Sequence, residues 1–268
     1  MLLNAQFEWD QAERIGKETS WSQVIPATMK QERPVLPAPH QVGQEIWKTT
    51  VEKKVSSKRS LIYHASITIS ATLLGFVMGT ALGILLAVGI VYSRVLDKSM
   101  MPWIITSQTI PILAIAPMII VVLNSVGVTG LFPKAVISTY LSFFPVAVGM
   151  VKGLRSPEAM HLDLMKTYNA SSMETLWKLR LPASVPFLFT SMKVAIAASL
   201  VGAIVGELPT GAVAGLGARL LAGSYYGQTV QIWSALVVAA IVAGLLVTFV
   251  GFVGKRVNAR MGVKEELA

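Results

Sequence analysis

The chain has 268 residues, 53% of them hydrophobic and only 14% charged, with a mean hydropathy of +0.61 and a net charge of +9. A soluble domain carries about 25% charged residues, and here the charges are also segregated, so the composition is that of an integral membrane protein. No basic stripe is interleaved with aromatics, which argues against nucleic acid, and the absence of Cys excludes disulfides, thiol catalysis and Cys-bound metal.

Residues 1–60 read as a polar N-terminal segment, partly flexible, with no apolar core of a signal peptide. Asp10 to Lys17 has the pattern of a short amphipathic helix. Residues 61–255 form a transmembrane domain, since a helix crossing a hydrocarbon core of about 30 Å needs about 20 mostly apolar residues. Five segments qualify, so the fold class is all-α, a polytopic membrane helix bundle. They run from about Ala65 to Tyr92, Met100 to Leu123, Leu131 to Val151, Phe187 to Val205 and Val230 to Val253. Residues 256–268 are a tail.

Within the first span Gly75, Gly79 and Gly83 recur every four residues, which lets two helix backbones approach closely. Packing inside the bundle is the favoured reading over a dimer seam. In the second span Pro111 and Pro117 each remove a helix hydrogen bond. Lipid tolerates this only where neighbours or a water-filled cavity satisfy the freed carbonyls. With Thr106, Ser107, Gln108 and Thr109 just before them, the stretch reads as the lining of a translocation path.

Lys and Arg near the span ends set orientation. The loop from Lys152 to Pro186, the connection at Arg94 and Lys98, and the C-terminal tail are rich in them, so all three fall on the cytoplasmic side. Residues 1–60 then lie outside although they carry nine basic residues (Arg14, Lys17, Lys30, Arg33, Lys48, Lys53, Lys54, Lys58 and Arg59).

The middle loop, residues 153–185, reads as a helix–turn–helix elbow. Ser156 is a fitting N-cap with Pro157 at the first helical position, and that helix runs to Tyr168. Asn169 tolerates the left-handed conformation that closes a helix. Ser171 or Ser172 caps a second helix through Leu179, which Pro182 ends. Leu164, Met165, Tyr168, Leu176 and Trp177 place apolar surface on an element facing water, the mark of a protein partner.

Counting back from Leu181-Pro182 places Leu179, then Asn169, then Asp163-Leu164-Met165 at fixed offsets. This spacing resembles the coupling motif of bacterial ABC importer permeases: Glu-Ala-Ala, three residues, Gly, nine residues, Ile, one residue, Leu-Pro. Here the acid is shortened, both Ala are enlarged and the Gly is Asn. Four further stretches resemble permeases of the nitrate, sulfonate and taurine group: Leu36-Pro37-Ala38-Pro39, Gln108 to Pro117, Phe144-Pro145 to Leu154, and Glu207 followed by Gly215-Leu216-Gly217. The resemblance covers roughly residues 35–255, with closeness to pyrimidine and thiamine-precursor members around Gly206 to Gly211 and Ser224 to Gln228. Most members have a sixth span before the Leu-Pro-x-Pro segment. The residues there cannot span, so this chain is expected either to work with five spans or to start away from its natural beginning.

The resemblance implies a permease subunit in a bacterial inner membrane, two copies forming the path, with a solute-binding protein delivering a small solute. ATP is bound by a separate ATPase subunit, and the chain itself has no cofactor. The chain has no phosphate-cradling Gly-x-x-x-x-Gly-Lys-Ser/Thr run, in agreement with this. The ATPase-coupling residues implied are Asp163, Leu164, Met165, Tyr168, Asn169, Leu179, Leu181 and Pro182. The expected path residues are Gln108, Thr109, Pro111, Pro117 and Glu207. Lys193 is expected to snorkel to the cytoplasmic surface. His40, His64 and His161 have no ligand spacing and predict no metal. The alternative, an ion-coupled secondary carrier or channel, would bury several ionisable residues in paired repeats, and the spans hold little beyond Lys193, Glu207 and Asn124. Among solutes a nitrogen heterocycle is ranked above sulfonate, nitrate or taurine.

Overall fold

The computed structural model describes residues 2–14, 20–31, 34–209 and 214–262. Its helices are α1 (Leu2–Arg14), α2 (Trp21–Lys30), α3 (Pro39–Thr50), α4 (Leu61–Tyr92), α5 (Arg94–Ser107), α6 (Ile112–Ser125), α7 (Leu131–Leu154), α8 (Ala159–Thr167), α9 (Ser172–Thr175), α10 (Leu181–Glu207), α11 (Leu216–Tyr225) and α12 (Thr229–Arg260). A five-residue π-helix, Leu176–Arg180, joins α9 to α10. Helices α4, α7, α10 and α12 are long and apolar enough to cross a membrane, and α5 with α6 make a fifth crossing if the bent pair is one span.

Two compact units divide the chain. The first comprises residues 1–67 and 211–241 and holds α1 to α3, the start of α4, α11 and the first part of α12. In it Trp9 packs edge-on against Trp21, and the Gly215 amide donates to His64 Nδ1 at 3.0 Å. The helical pattern read at Asp10 to Lys17 belongs to α1, which begins earlier, and residues 15–19 lie outside the described residues.

The second unit, residues 68–210 and 242–268, is the helix bundle. Its centre is the glycine stripe of α4. A Cβ at Gly75 would stand 2.2 Å from Ser138 Cβ, at Gly79 2.1 Å from Ser142 Oγ, and at Gly83 2.8 Å from Val146 Cβ. The stripe therefore packs within the chain, where α4 runs parallel to α7 with backbones too close for any side chain. α10 runs antiparallel to α7, with Gly153 against Ser184, Gly149 against Ser191 and Gly202 against Ser138. Ile90, Met150, Leu154 and Ile196 fill the core between them.

This parallel register fixes the route of the chain. Tyr92 and Leu154 end α4 and α7 at the same end of the bundle, yet α7 begins at the opposite end. The segment between must cross, so α5 and α6 form one broken span rather than a loop returning to the side it left. The two helices meet at 101°. The break lies at Gln108 to Pro111, whereas α6 continues through Pro117. The kink expected at both prolines is thus one sharp break at the first, where the tightly turned residues 107–110 precede a Pro that cannot donate.

Candidate coupling and translocation surfaces

The elbow leaves the bundle where α4 and α7 end. Ser156 does not cap α8; its hydroxyl turns back and donates to the Gly153 carbonyl at 2.8 Å, closing α7. Glu158 holds the N-cap position of α8 instead. Arg180 donates to the Leu154 carbonyl at 2.7 Å, and its guanidinium lies 5.9 Å from the Tyr92 ring centre. Tyr92 in turn donates its hydroxyl to the Ser172 carbonyl at 3.1 Å, and Arg155 pairs with Asp97 at 2.9 Å. The base of the elbow is therefore tied to α4, α5 and α7, and the Leu154 carbonyl at the end of α7 is an orphan acceptor satisfied there.

Beyond this base the described residues leave most of α8 open. No residue of α8 is buried, and Leu164, Tyr168 and Trp177 are 51%, 77% and 66% exposed. Asp163 pairs with Lys166 at 2.8 Å in the open, a pairing worth little in water. Asn169 takes φ +50°, the left-handed closure expected of it. Ser171 and Glu174 form a reciprocal capping box on α9. The Ser171 amide, and after it the Lys178 amine, hold the Glu174 carboxyl at about 2. Pro182 does not end the second helix. It sits in the first turn of α10, and the π-helix before it carries the backbone onward, the Leu181 amide bonding the Leu176 carbonyl. The wider register relieves the clash a proline ring makes with the carbonyl four residues back.

The expected coupling residues thus fall into two groups. Asp163, Leu164, Tyr168 and Asn169 are exposed on α8 and its C-terminal turn, with Met165 half-buried among them. Leu179 and Leu181 are half-buried in the joint, Leu181 packing on the bundle core, while Pro182 is exposed.

At the break in the second span, Ser107 and Thr109 turn their hydroxyls to their own backbone. Ser107 donates to the Ile104 carbonyl at 2.7 Å, Thr109 donates to the Thr106 carbonyl at 2.8 Å, and Tyr140 donates its hydroxyl to the Ser107 carbonyl. Gln108 donates to Ser107 Oγ at 3.2 Å. Thr109 and Pro111 are exposed, and Gln108 and Pro117 are half-buried.

Glu207 lies at the opposite end of the bundle from the elbow, fully buried rather than at a solvated helix end. Its carboxylate accepts the Thr68 hydroxyl at 3.0 and 3.1 Å and stands 3.6 Å from Lys134 Nζ, itself only 8% exposed. Three helices, α4, α7 and α10, are thereby joined at that end. Lys134 and Thr68 escaped sequence reading, because Lys134 looked like a loop charge and Thr68 like one more small residue of a span.

The chain matches the model of the family described as binding-protein-dependent transport system inner membrane component over residues 79–263. The chain belongs to this family. It is 29% identical over 204 residues to a probable ABC transporter permease protein of Haemophilus influenzae, covering 76% of this chain and 78% of that protein. The formylaminopyrimidine transport permease ThiX of Halalkalibacterium halodurans is 28% identical over 184 residues, 68% of each chain. The nitrate import permease NrtB of Leptolyngbya laminosa is 25% identical over 227 residues, 82% of this chain and 78% of its own. The inward-facing MetNI methionine ABC transporter shares the fold, with a TM-score of 0.57 and 19% identity over 83% of this chain and 97% of that one. The chain is therefore a multi-pass inner-membrane permease subunit of an ABC importer, which sets aside the ion-coupled carrier.

Proposed function

We propose that the elbow is the surface on which a separate ATPase subunit grips this chain, and that two copies of the chain enclose the path between them. ATP is then bound and hydrolysed on the partner. The observation that carries this reading is the exposed apolar surface of Leu164, Tyr168 and Trp177 on an elbow whose base is bonded to α4, α5 and α7. An exposed patch of this kind serves a protein partner, and a rigid base passes its displacement into α4, α7 and α10 as a rocking of packed helices. Leu164, Met165 and Tyr168 fill the ATPase groove, and Asp163 meets a basic group there. Leu179, Leu181 and Pro182 make the joint and Asn169 the turn. The path runs past Gln108, Thr109 and Pro111 at the broken span, with Pro117 shaping α6 and Glu207 holding the far end of the bundle. A solute-binding protein docks at the loops around α11, where Tyr225 and Tyr226 are exposed.

The test is affinity purification of the tagged chain from gentle detergent, comparing wild type with Leu164→Asp/Tyr168→Asp. A P-loop ATPase accompanies the wild type and is missing from the variant; an ATPase retained by both would refute the elbow as the docking surface.

A further inference from the structure

Lys193 sits deep within α10, twelve residues after Leu181 and fourteen before Glu207. At 1.5 Å per residue this is about 18 Å and about 21 Å from the two ends. Lys152 Nζ lies 6.0 Å from the Phe187 ring centre, so another charge already stands at that level near the elbow end. Lys193 is six residues beyond Phe187, about 9 Å deeper.

Its side chain does not snorkel, contrary to expectation. A Cβ at Gly254 would stand 2.9 Å from Phe189 Cβ, and one at Gly251 would stand 3.3 Å from Lys193 Cε and 3.9 Å from its Nζ. The amine therefore crosses to α12 near its own level, over the backbone of Gly251. Side chains of a helix lean towards its N-terminus, which for α10 is the elbow end, so a snorkelling lysine would have reached towards Lys255.

Among the described residues Lys193 has no hydrogen-bond or ion-pair partner, and it is half-buried. Among the described residues, the bundle helices of a second copy offer no unpaired acid either. α4, α6, α7 and α12 contain no Asp or Glu, α5 contains only Asp97, paired with Arg155 at the elbow end, and α10 contains only Glu207, already held by Lys134 at the other end. An amine with three donors and no acceptor, at membrane depth and without a fixed counter-ion, is a functional site by default. With no acid beside it among the described residues, its counter-ion is read as mobile. We propose that Lys193 lines the solute path and recognises a negative group on the transported solute, a sulfonate, carboxylate or small oxyanion. The proposal rests on the reading of this chain as a wall of that path. It moves anionic solutes ahead of the neutral nitrogen heterocycles that sequence reasoning ranked first.

The absence of Cys allows single cysteines to be read without background. In inside-out membrane vesicles holding the assembled transporter, Thr109→Cys and Lys193→Cys are each treated with membrane-impermeant methanethiosulfonates, one negatively and one positively charged. Both positions are expected to react. At Ala197→Cys, one turn from Lys193, the ratio of negative to positive reagent rates is expected to fall about tenfold on Lys193→Met, and to hold with Lys193→Arg. Reaction at Thr109→Cys with none at Lys193→Cys would overturn the proposal and leave the path intact. An unchanged ratio at Ala197→Cys would overturn the recognition of a negative group. Inert cysteines at both Thr109 and Lys193 would overturn the path reading itself.

Discussion

Removing one member of the Glu207–Lys134 pair leaves a charge sealed among three helices. Glu207 has no exposed surface, its carboxylate takes the Thr68 hydroxyl at 3.0 and 3.1 Å, and Lys134 stands 3.6 Å away. Breaking a buried pair from one side costs about 3–5 kcal/mol, mostly from the charge left behind. The 3.6 Å separation lies beyond hydrogen-bonding distance, so the lower figure of about 3 kcal/mol applies to Glu207→Gln and to Lys134→Met. For a chain of this size that is about 6–12 °C in melting temperature. The double variant strands no charge and is expected to lose only about 1 kcal/mol. Thr68→Val, which strips a donor from the carboxylate, costs about 1.5–3 kcal/mol. Thermal unfolding of the detergent-purified chain, followed by tryptophan fluorescence, measures all four. A double variant that loses as much as both single changes added together would refute the idea that the two charges hold each other.

Gly79→Val is expected to destabilise the bundle by at least about 1–3 kcal/mol in the same assay, because its Cβ would stand 2.1 Å from Ser142 Oγ; Gly43→Val, with open space around it, serves as the neutral control. Arg180→Ala should free the Leu154 carbonyl and loosen the elbow base, seen as faster amide exchange around Ser172 and weaker transport-coupled ATP hydrolysis in the assembled transporter. The Ser171–Glu174 capping box has a defined pH window. Because the folded carboxyl is depressed from 4.5 to about 2, its contribution is complete above pH 4.5 and is lost as pH falls towards 2. Amide exchange at Ser171 to Thr175 should therefore stay slow at pH 4 in wild type and be fast there in Glu174→Gln.

The spans were legible because burial in lipid needs little more than length and apolarity, which is why α4, α7 and α12 lie where hydropathy put them. The glycine stripe and the left-handed Asn169 were legible for a similar reason, each resting on one local steric rule. Residues that serve distant partners were not. Thr68 and Glu207 are 139 positions apart, and no periodicity joins them. Ser156 and Pro182 misled because each has two uses: a serine hydroxyl can close the helix behind it as well as cap the one ahead, and a proline opens a helix as readily as it ends one. The polar run before Pro111 marked the break correctly, but Ser107 and Thr109 spend their hydroxyls on backbone carbonyls that the break exposes.

That the elbow delivers the stroke of an ATPase to the bundle is the heart of the proposed function. Its most direct test is a photocrosslinking residue placed at Tyr168, 77% exposed on the elbow, against the same residue at Tyr225, 79% exposed at the end of α11, in membranes of cells making the whole transporter. An adduct with the ATPase subunit is expected from Tyr168 and none from Tyr225. An ATPase adduct from Tyr225, or none from Tyr168, would contradict that function.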